Sequence, residues 1–146
     1  IINNFIPGSV DKITADGMTV KSRELIDYAR AGLVMNNGII VDLTASRITN
    51  KKVRKLTITT DKSYIEIDYL SREISIYSRK VSDTDNENEL IEENNHKFDT
   101  SENPLKSELA DFINCIQNKS QPLVSGNDGY QALQITKKIQ DKIYNE

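Results

Sequence analysis

Between Tyr28 and Arg79 the chain alternates short runs of apolar and β-branched residues with short polar connections, and few folds accept that spacing. Parallel neighbours need a crossover of about a dozen residues, so closely spaced strands imply an antiparallel meander. Tyr28 to Met35 reads as a strand, and Asn36-Asn37-Gly38 marks a hairpin because these residues tolerate positive φ. In residues 39–47, Ile39, Val41, Leu43 and Ala45 fall on one face and Ile40, Asp42, Thr44 and Ser46 on the other. Residues 53–60, Tyr64 to Leu70 and Glu73 to Arg79 repeat the pattern, with turns at Asp61-Lys62-Ser63 and Ser71-Arg72. Ahead of these, Val10 to Ala15 is a short strand, and residues 16–24, which include Asp16-Gly17, read as turn-rich.

The flanks differ. Ile1, Ile2, Phe5 and Ile6 fall at helical spacing and Pro7-Gly8 ends the run, so residues 1–8 read as the end of a helix. So short a helix does not stand alone in water, and the expectation is a chain that forms part of a larger protein. Residues 80–103 read as an acidic loop. Asp83, Asp85, Glu87, Glu89, Glu92, Glu93, Asp99 and Glu102 outweigh Lys80 and Lys97, with at most a short edge strand near Leu90-Ile91. No glycine sits where a calcium loop needs one. Residues 104–146 hold two helices. Asn103-Pro104 starts the first, with Leu105, Leu109, Phe112, Ile113 and Ile116 as its apolar stripe. Ser125 caps the second with Asp128 three residues on, and Tyr130, Leu133, Ile135, Ile139 and Ile143 supply its apolar positions. The expected fold is one α+β domain over residues 1–146: an open, mostly antiparallel sheet of about five to six strands with helices packed on one face.

Composition narrows the function. A net charge of −3 and mean hydropathy of −0.53 give no basic field for nucleic acid. No stretch approaches the about 20 apolar residues of a membrane span. The single Cys115 excludes an internal disulfide and fits a reducing cytoplasm. There is no P-loop, no glycine-rich dinucleotide fingerprint and no Cys/His cluster with metal spacing. His96 and the pair Glu66 and Asp68 read as solvated side chains, and Cys115 as a structural thiol. The cluster Arg47, Lys51, Lys52, Arg54 and Lys55 is the strongest binding candidate. It is either a solvated hairpin rim or a recognition element for phosphate or carboxylate, led by the guanidinium forks of Arg47 and Arg54.

Two segments carry a family resemblance. The first is Gly38-Ile-Ile-Val-Asp-Leu-Thr-Ala-Ser-Arg47-Ile-Thr, followed by Lys51-Lys-Val-Arg-Lys-Leu56 and Tyr64-Ile-Glu-Ile-Asp-Tyr69. The second is Pro104-Leu-Lys-Ser-Glu-Leu109-Ala-Asp-Phe-Ile113, followed by Pro122-Leu-Val-Ser-Gly126-Asn-Asp-Gly129. Together they resemble the C-terminal domain of the Gfo/Idh/MocA oxidoreductases, nearest to members acting on nucleotide-linked amino sugars. The resemblance implies a parent enzyme that binds NAD or NADP in an N-terminal Rossmann domain upstream of this chain. It implies a sheet that lines the sugar site and builds homo-oligomers. The family's catalytic motifs have no counterpart here, so no catalytic, cofactor or metal residue is carried over, and the chain alone is expected to be inactive. Arg47 is the favoured substrate contact, with Lys51 and Arg54 behind it. The competing reading is a homo-oligomeric interaction module with no small-molecule ligand.

Overall fold

The computed structural model describes residues 6, 8–80, 90–99 and 103–145. The helix end expected at residues 1–8 falls mostly on residues outside this set. The chain divides into two compact units, one of residues 1–50 and 114–146 and one of residues 51–113.

In the first unit, β1 (Val10–Met18), β2 (Tyr28–Met35) and β3 (Ile40–Ser46) form an antiparallel sheet in that order. The register sets Ile13 opposite Leu33 and Ala15 opposite Ala31, with Val41 and Leu43 completing the same rows on β3. That face holds the core. Leu33 has 0% exposure, and Ala15, Ala31 and Met35 are buried with it. The alternation expected for residues 39–47 is the one observed. The hairpin at Asn36-Asn37-Gly38 closes by Gly38 N–H to Met35 O (2.9 Å) and Met35 N–H to Ile39 O (2.8 Å), with positive φ at Gly38 alone of the three. A type I turn followed by a left-handed glycine accounts for this pattern.

The helix α2 (Gly126–Asn145) packs on β1. Its half-buried apolar residues are Ile135, Ile139 and Ile143, spaced by one turn. Ser125 and Asp128 cap it as expected: the Ser125 N–H and Oγ donate to Asp128 Oδ2 at 2.7 and 2.6 Å, and Asp128 N–H returns to Ser125 Oγ at 3.3 Å. The approach is closest at Gly17, where an added Cβ would lie 2.6 Å from Ile143 Cγ2. Asp16-Gly17 is therefore not a turn. β1 runs through it, because Gly17 serves helix packing, and the chain reverses later, in residues 19–26.

In the second unit, β4 (Lys55–Thr59), β5 (Ser63–Asp68), β6 (Glu73–Lys80) and β7 (Leu90–Lys97) form a four-stranded antiparallel sheet in sequence order. Two sheets thus replace the single sheet expected. The break falls at residues 47–54, where Ser46 Oγ takes the N–H groups of Ile48 and Thr49 into a local turn. The second departure is β7. Residues 90–97 pair with β6 along their full length, with Glu73 opposite Lys97 and Ile76 opposite Asn94. Its acids and Lys97 belong to an edge strand, where charge blocks unwanted pairing. Residues 81–89 and 100–102 of the expected acidic loop lie outside the described residues.

Leu56, Ile58, Ile65, Ile67, Ile74 and Ile76 share one face of this sheet by register, and all six are half-buried. No residue described in the second unit is fully buried. The helix α1 (Pro104–Asn118) starts on Asn103, whose Oδ1 accepts Leu105 N–H at 3.0 Å. Its stripe of Leu105, Leu109, Phe112, Ile113 and Ile116 is exposed, and Cys115 on its last turns is buried.

Candidate functional site

Among the described residues the most constrained polar group is Asp27, at the entry to β2. It is the one buried charged side chain among the described residues, at 4% exposure. Burial of a carboxylate is costly unless its lone pairs are filled. Here Asp27 Oδ2 accepts three consecutive backbone N–H groups, from Val20 (2.8 Å), Lys21 (2.7 Å) and Ser22 (2.8 Å). Asp27 Oδ1 accepts Arg47 Nε–H at 2.7 Å. The main chains are tied as well: Asp27 N–H donates to Met18 O (2.9 Å) and Arg47 N–H to Asp27 O (3.0 Å). Ser22 Oγ then accepts Leu25 N–H at 2.9 Å, which closes the loop on itself. The N–H groups of Ser22 and Val20 act most strongly, followed by Lys21 and Arg47. Against the opposing effect of burial they hold the Asp27 carboxyl far below the ordinary Asp range.

Arg47, the first sequence candidate, sits one residue beyond β3 at this end of the three-stranded sheet and is 48% exposed. Lys51 and Arg54 belong to the second unit, in the exposed segment before β4. The carbonyl of Arg54 accepts Tyr69 N–H at 2.9 Å, and Lys55 Nζ lies 3.5 Å from Asp68 Oδ2. The cationic run is thus divided: Arg47 is built into a hydrogen-bonded corner, and Lys51 and Lys52 extend into solvent. Asp27 is the residue that sequence reading missed. Its signal was a lone acid between Ile26 and Tyr28, where a strand begins after a polar stretch.

The remaining candidates have structural settings. Asp68 Oδ1 accepts the N–H groups of Leu70 and Ser71, which lower its pKa and close the β5–β6 turn. Glu66 accepts the hydroxyl of Tyr64 at 3.2 Å, and the rings of Tyr64 and Tyr77 stand 6.0 Å apart. His96 lies exposed on β7 opposite Ile74. An open cleft of about 460 Å³ separates the other end of β1 from α2, lined by Val10, Asp11, Ile13, Lys138, Asp141, Lys142 and Asn145. Among the described residues no cluster of three or more His, Cys, Asp or Glu could hold a metal ion, and no helix is long and apolar enough to cross a membrane.

Comparison with known proteins agrees with the architecture. A curated relative, UDP-N-acetylglucosamine 3-dehydrogenase of Acidithiobacillus ferrooxidans, is 27% identical over 108 residues, which is 73% of this chain and 34% of that protein. The chain therefore spans about a third of the length of the relative it matches. A solved structure of that dehydrogenase superposes with a TM-score of 0.76 at 22% identity, over 93% of this chain and 40% of its own. An aldose-aldose oxidoreductase from Caulobacter crescentus, complexed with glycerol, gives 0.66 at 16% identity over 91% of this chain and 38% of its own. These two likenesses establish the fold. The model of the Gfo/Idh/MocA oxidoreductase family, C-terminal alpha/beta domain, matches residues 7–144, and the chain belongs to that family.

Proposed function

We propose that this chain is the substrate-side and oligomerisation domain of an NAD(P)-dependent oxidoreductase that acts on a hydroxyl of a sugar or nucleotide-linked sugar. The observation that carries the reading is the family match over residues 7–144, joined to a relative named for a UDP-linked amino sugar. In such an enzyme the cofactor moves the hydride, and the protein holds the sugar carbon in line with it. The glycines stand at residues 8, 17, 32, 38, 126 and 129, and among the described residues none lies in the strand–glycine loop–helix turn of a dinucleotide cradle.

What this chain contributes is recognition. Arg47 is the anion contact: its guanidinium matches a phosphoryl or carboxylate group in two-point geometry. Lys51 and Arg54, exposed in the second unit, are the further cationic candidates. The aliphatic face of Leu56, Ile58, Ile65, Ile67, Ile74 and Ile76 is the surface through which copies associate, because a sheet face of this kind needs a second layer. The setting is a reducing cytoplasm, consistent with one reduced, buried thiol at Cys115.

The test uses the natural full-length chain with NAD or NADP and UDP-N-acetylglucosamine, followed by nicotinamide absorbance and by calorimetry. Turnover is expected in one cofactor form, with binding weakened by Arg47→Ala. A chain that neither turns over nor binds any nucleotide-linked sugar would leave the second reading, an interaction module without ligand. The aliphatic face, half-buried with no fully buried residue behind it, favours that alternative on its own, and it predicts self-association without small-molecule binding. Sedimentation velocity on wild type and Ile67→Lys tests the association that both readings share: a monomer in both removes the oligomerisation role.

A further inference from the structure

Arg47 is gripped on one side only. Its Nε is fixed at 2.7 Å from Asp27 Oδ1, whereas among the described residues Nη1 and Nη2 make no hydrogen bond. We infer that Asp27 is a positioning residue that presents the outer edge of the Arg47 guanidinium to a diphosphate group at the Met18–Tyr28–Ser46 end of the three-stranded sheet. This deepens the proposed function and rests on the reading of Arg47 as the anion contact.

First, the Asp27 carboxylate cannot swing, because Val20, Lys21 and Ser22 pin its other oxygen with three backbone N–H groups. Second, the base of Arg47 is also fixed, through its own N–H to Asp27 O and through the pairing of Ser46 with Tyr28. A long side chain held at Nε has already lost most of the rotamer freedom that anion binding would otherwise remove. Third, the negative charge of Asp27 is consumed inside this network. The loop that it fixes carries Lys21 and Arg23, both exposed, against a single acid, Glu24. The outward field at this corner therefore suits a dianion, and a guanidinium edge suits a phosphoryl group better than an ammonium does.

The experiment is calorimetric titration of the natural full-length chain with uridine diphosphate, and in parallel with N-acetylglucosamine, which lacks the phosphates. Asp27→Asn keeps one oxygen for the loop N–H groups but turns an NH₂ towards Arg47, so it releases the guanidinium while retaining the loop. Arg47→Ala and Asp27→Asn should each weaken uridine diphosphate about tenfold, the scale of one charge-assisted hydrogen bond. The double variant should bind no more weakly than Arg47→Ala, and N-acetylglucosamine should bind all variants alike. Arg47→Lys, which keeps the positive charge beside Asp27, should also lose about tenfold, because one ammonium cannot pair with Asp27 and still offer a fork. Unchanged binding in Arg47→Ala would remove both this inference and the reading beneath it. Weakened binding in Arg47→Ala with wild-type affinity in Arg47→Lys and Asp27→Asn would overturn the inference alone. So would a further loss when Asp27→Asn is added to Arg47→Ala, since Asp27 would then act through the fold rather than through Arg47.

Discussion

The two units use the same strand chemistry and reach opposite outcomes. The three-stranded sheet buries Leu33, Met35, Ala31 and Ala15 and seals a carboxylate at its corner. The four-stranded sheet is the larger, and its aliphatic face is made of bigger side chains, yet none of them is fully buried. The difference is a layer. α2 lies along β1 in the first unit, whereas the isoleucine rows of β5 and β6 remain half-buried. A sheet stabilises a fold when its apolar face is covered, so strand number and hydrophobicity alone do not make a core.

The strongest way to break this comparison is to truncate one residue in each sheet. Leu33→Ala should cost about 2–5 kcal/mol, read as a fall in the midpoint of chemical unfolding. Ile67→Ala should cost about 1 kcal/mol or less in dilute solution, since its side chain is only half removed from water. Equal losses would mean that the second sheet is covered in solution. A cost for Ile67→Ala that grows with protein concentration would identify a second copy as the cover.

Acid should sharpen the same contrast, with a smaller effect. Asp27 has a depressed folded-state pKa, so its contribution is complete above the unfolded value of about 4 and is lost progressively as pH falls from there through the folded-state value. Asp68 is shifted the same way by Leu70 and Ser71, and Glu73 by Lys97. Those two serve partly exposed turns and cross-strand pairs, which solvent and salt screen. The melting temperature should therefore fall by several degrees between pH 5 and pH 3, and Asp27→Asn should flatten most of that slope. A slope preserved in Asp27→Asn and lost in Glu73→Gln would assign acid sensitivity to the second unit instead.

The sequence made strand pairing legible wherever alternation and turn chemistry agreed. Tyr28–Ser46 is the clearest case, because Asn36-Asn37-Gly38 fixes the turn and the alternation fixes the face. Caps were equally readable, since Asn103, Ser125 and Asp128 act over three residues. What failed was non-local. Asp16-Gly17 carries a turn signal, but Ile143, far along the chain, decides that a glycine is needed there within a strand. Residues 90–97 have the composition of a loop, and only their pairing with β6 makes them an edge strand. Of the candidate site, Arg47 was visible as a cation beside a strand. Asp27 was not, because its role depends on three backbone N–H groups that converge only after the loop has folded.

The gentlest test concerns how α2 covers the first sheet, and it uses two glycines. An added Cβ at Gly17 meets Ile143 Cγ2 at 2.6 Å and Ile26 Cδ1 at 2.9 Å, and the first of these is a branched methyl that cannot swing away. Gly17→Ala should cost about 1–3 kcal/mol by overpacking and should lift α2 from β1. Gly129 lies on the first turns of α2 with nothing within 4 Å of an added Cβ. Gly129→Ala should therefore stabilise the protein by up to about 1 kcal/mol, because alanine loses less backbone freedom in a helix. Combined, the two should add nearly independently, since one acts at the contact and the other on the helix itself. A Gly129→Ala gain that vanishes in the Gly17→Ala background would mean that α2 forms only when seated on β1. The cover of the first sheet, and not the helix, would then be the unit of stability.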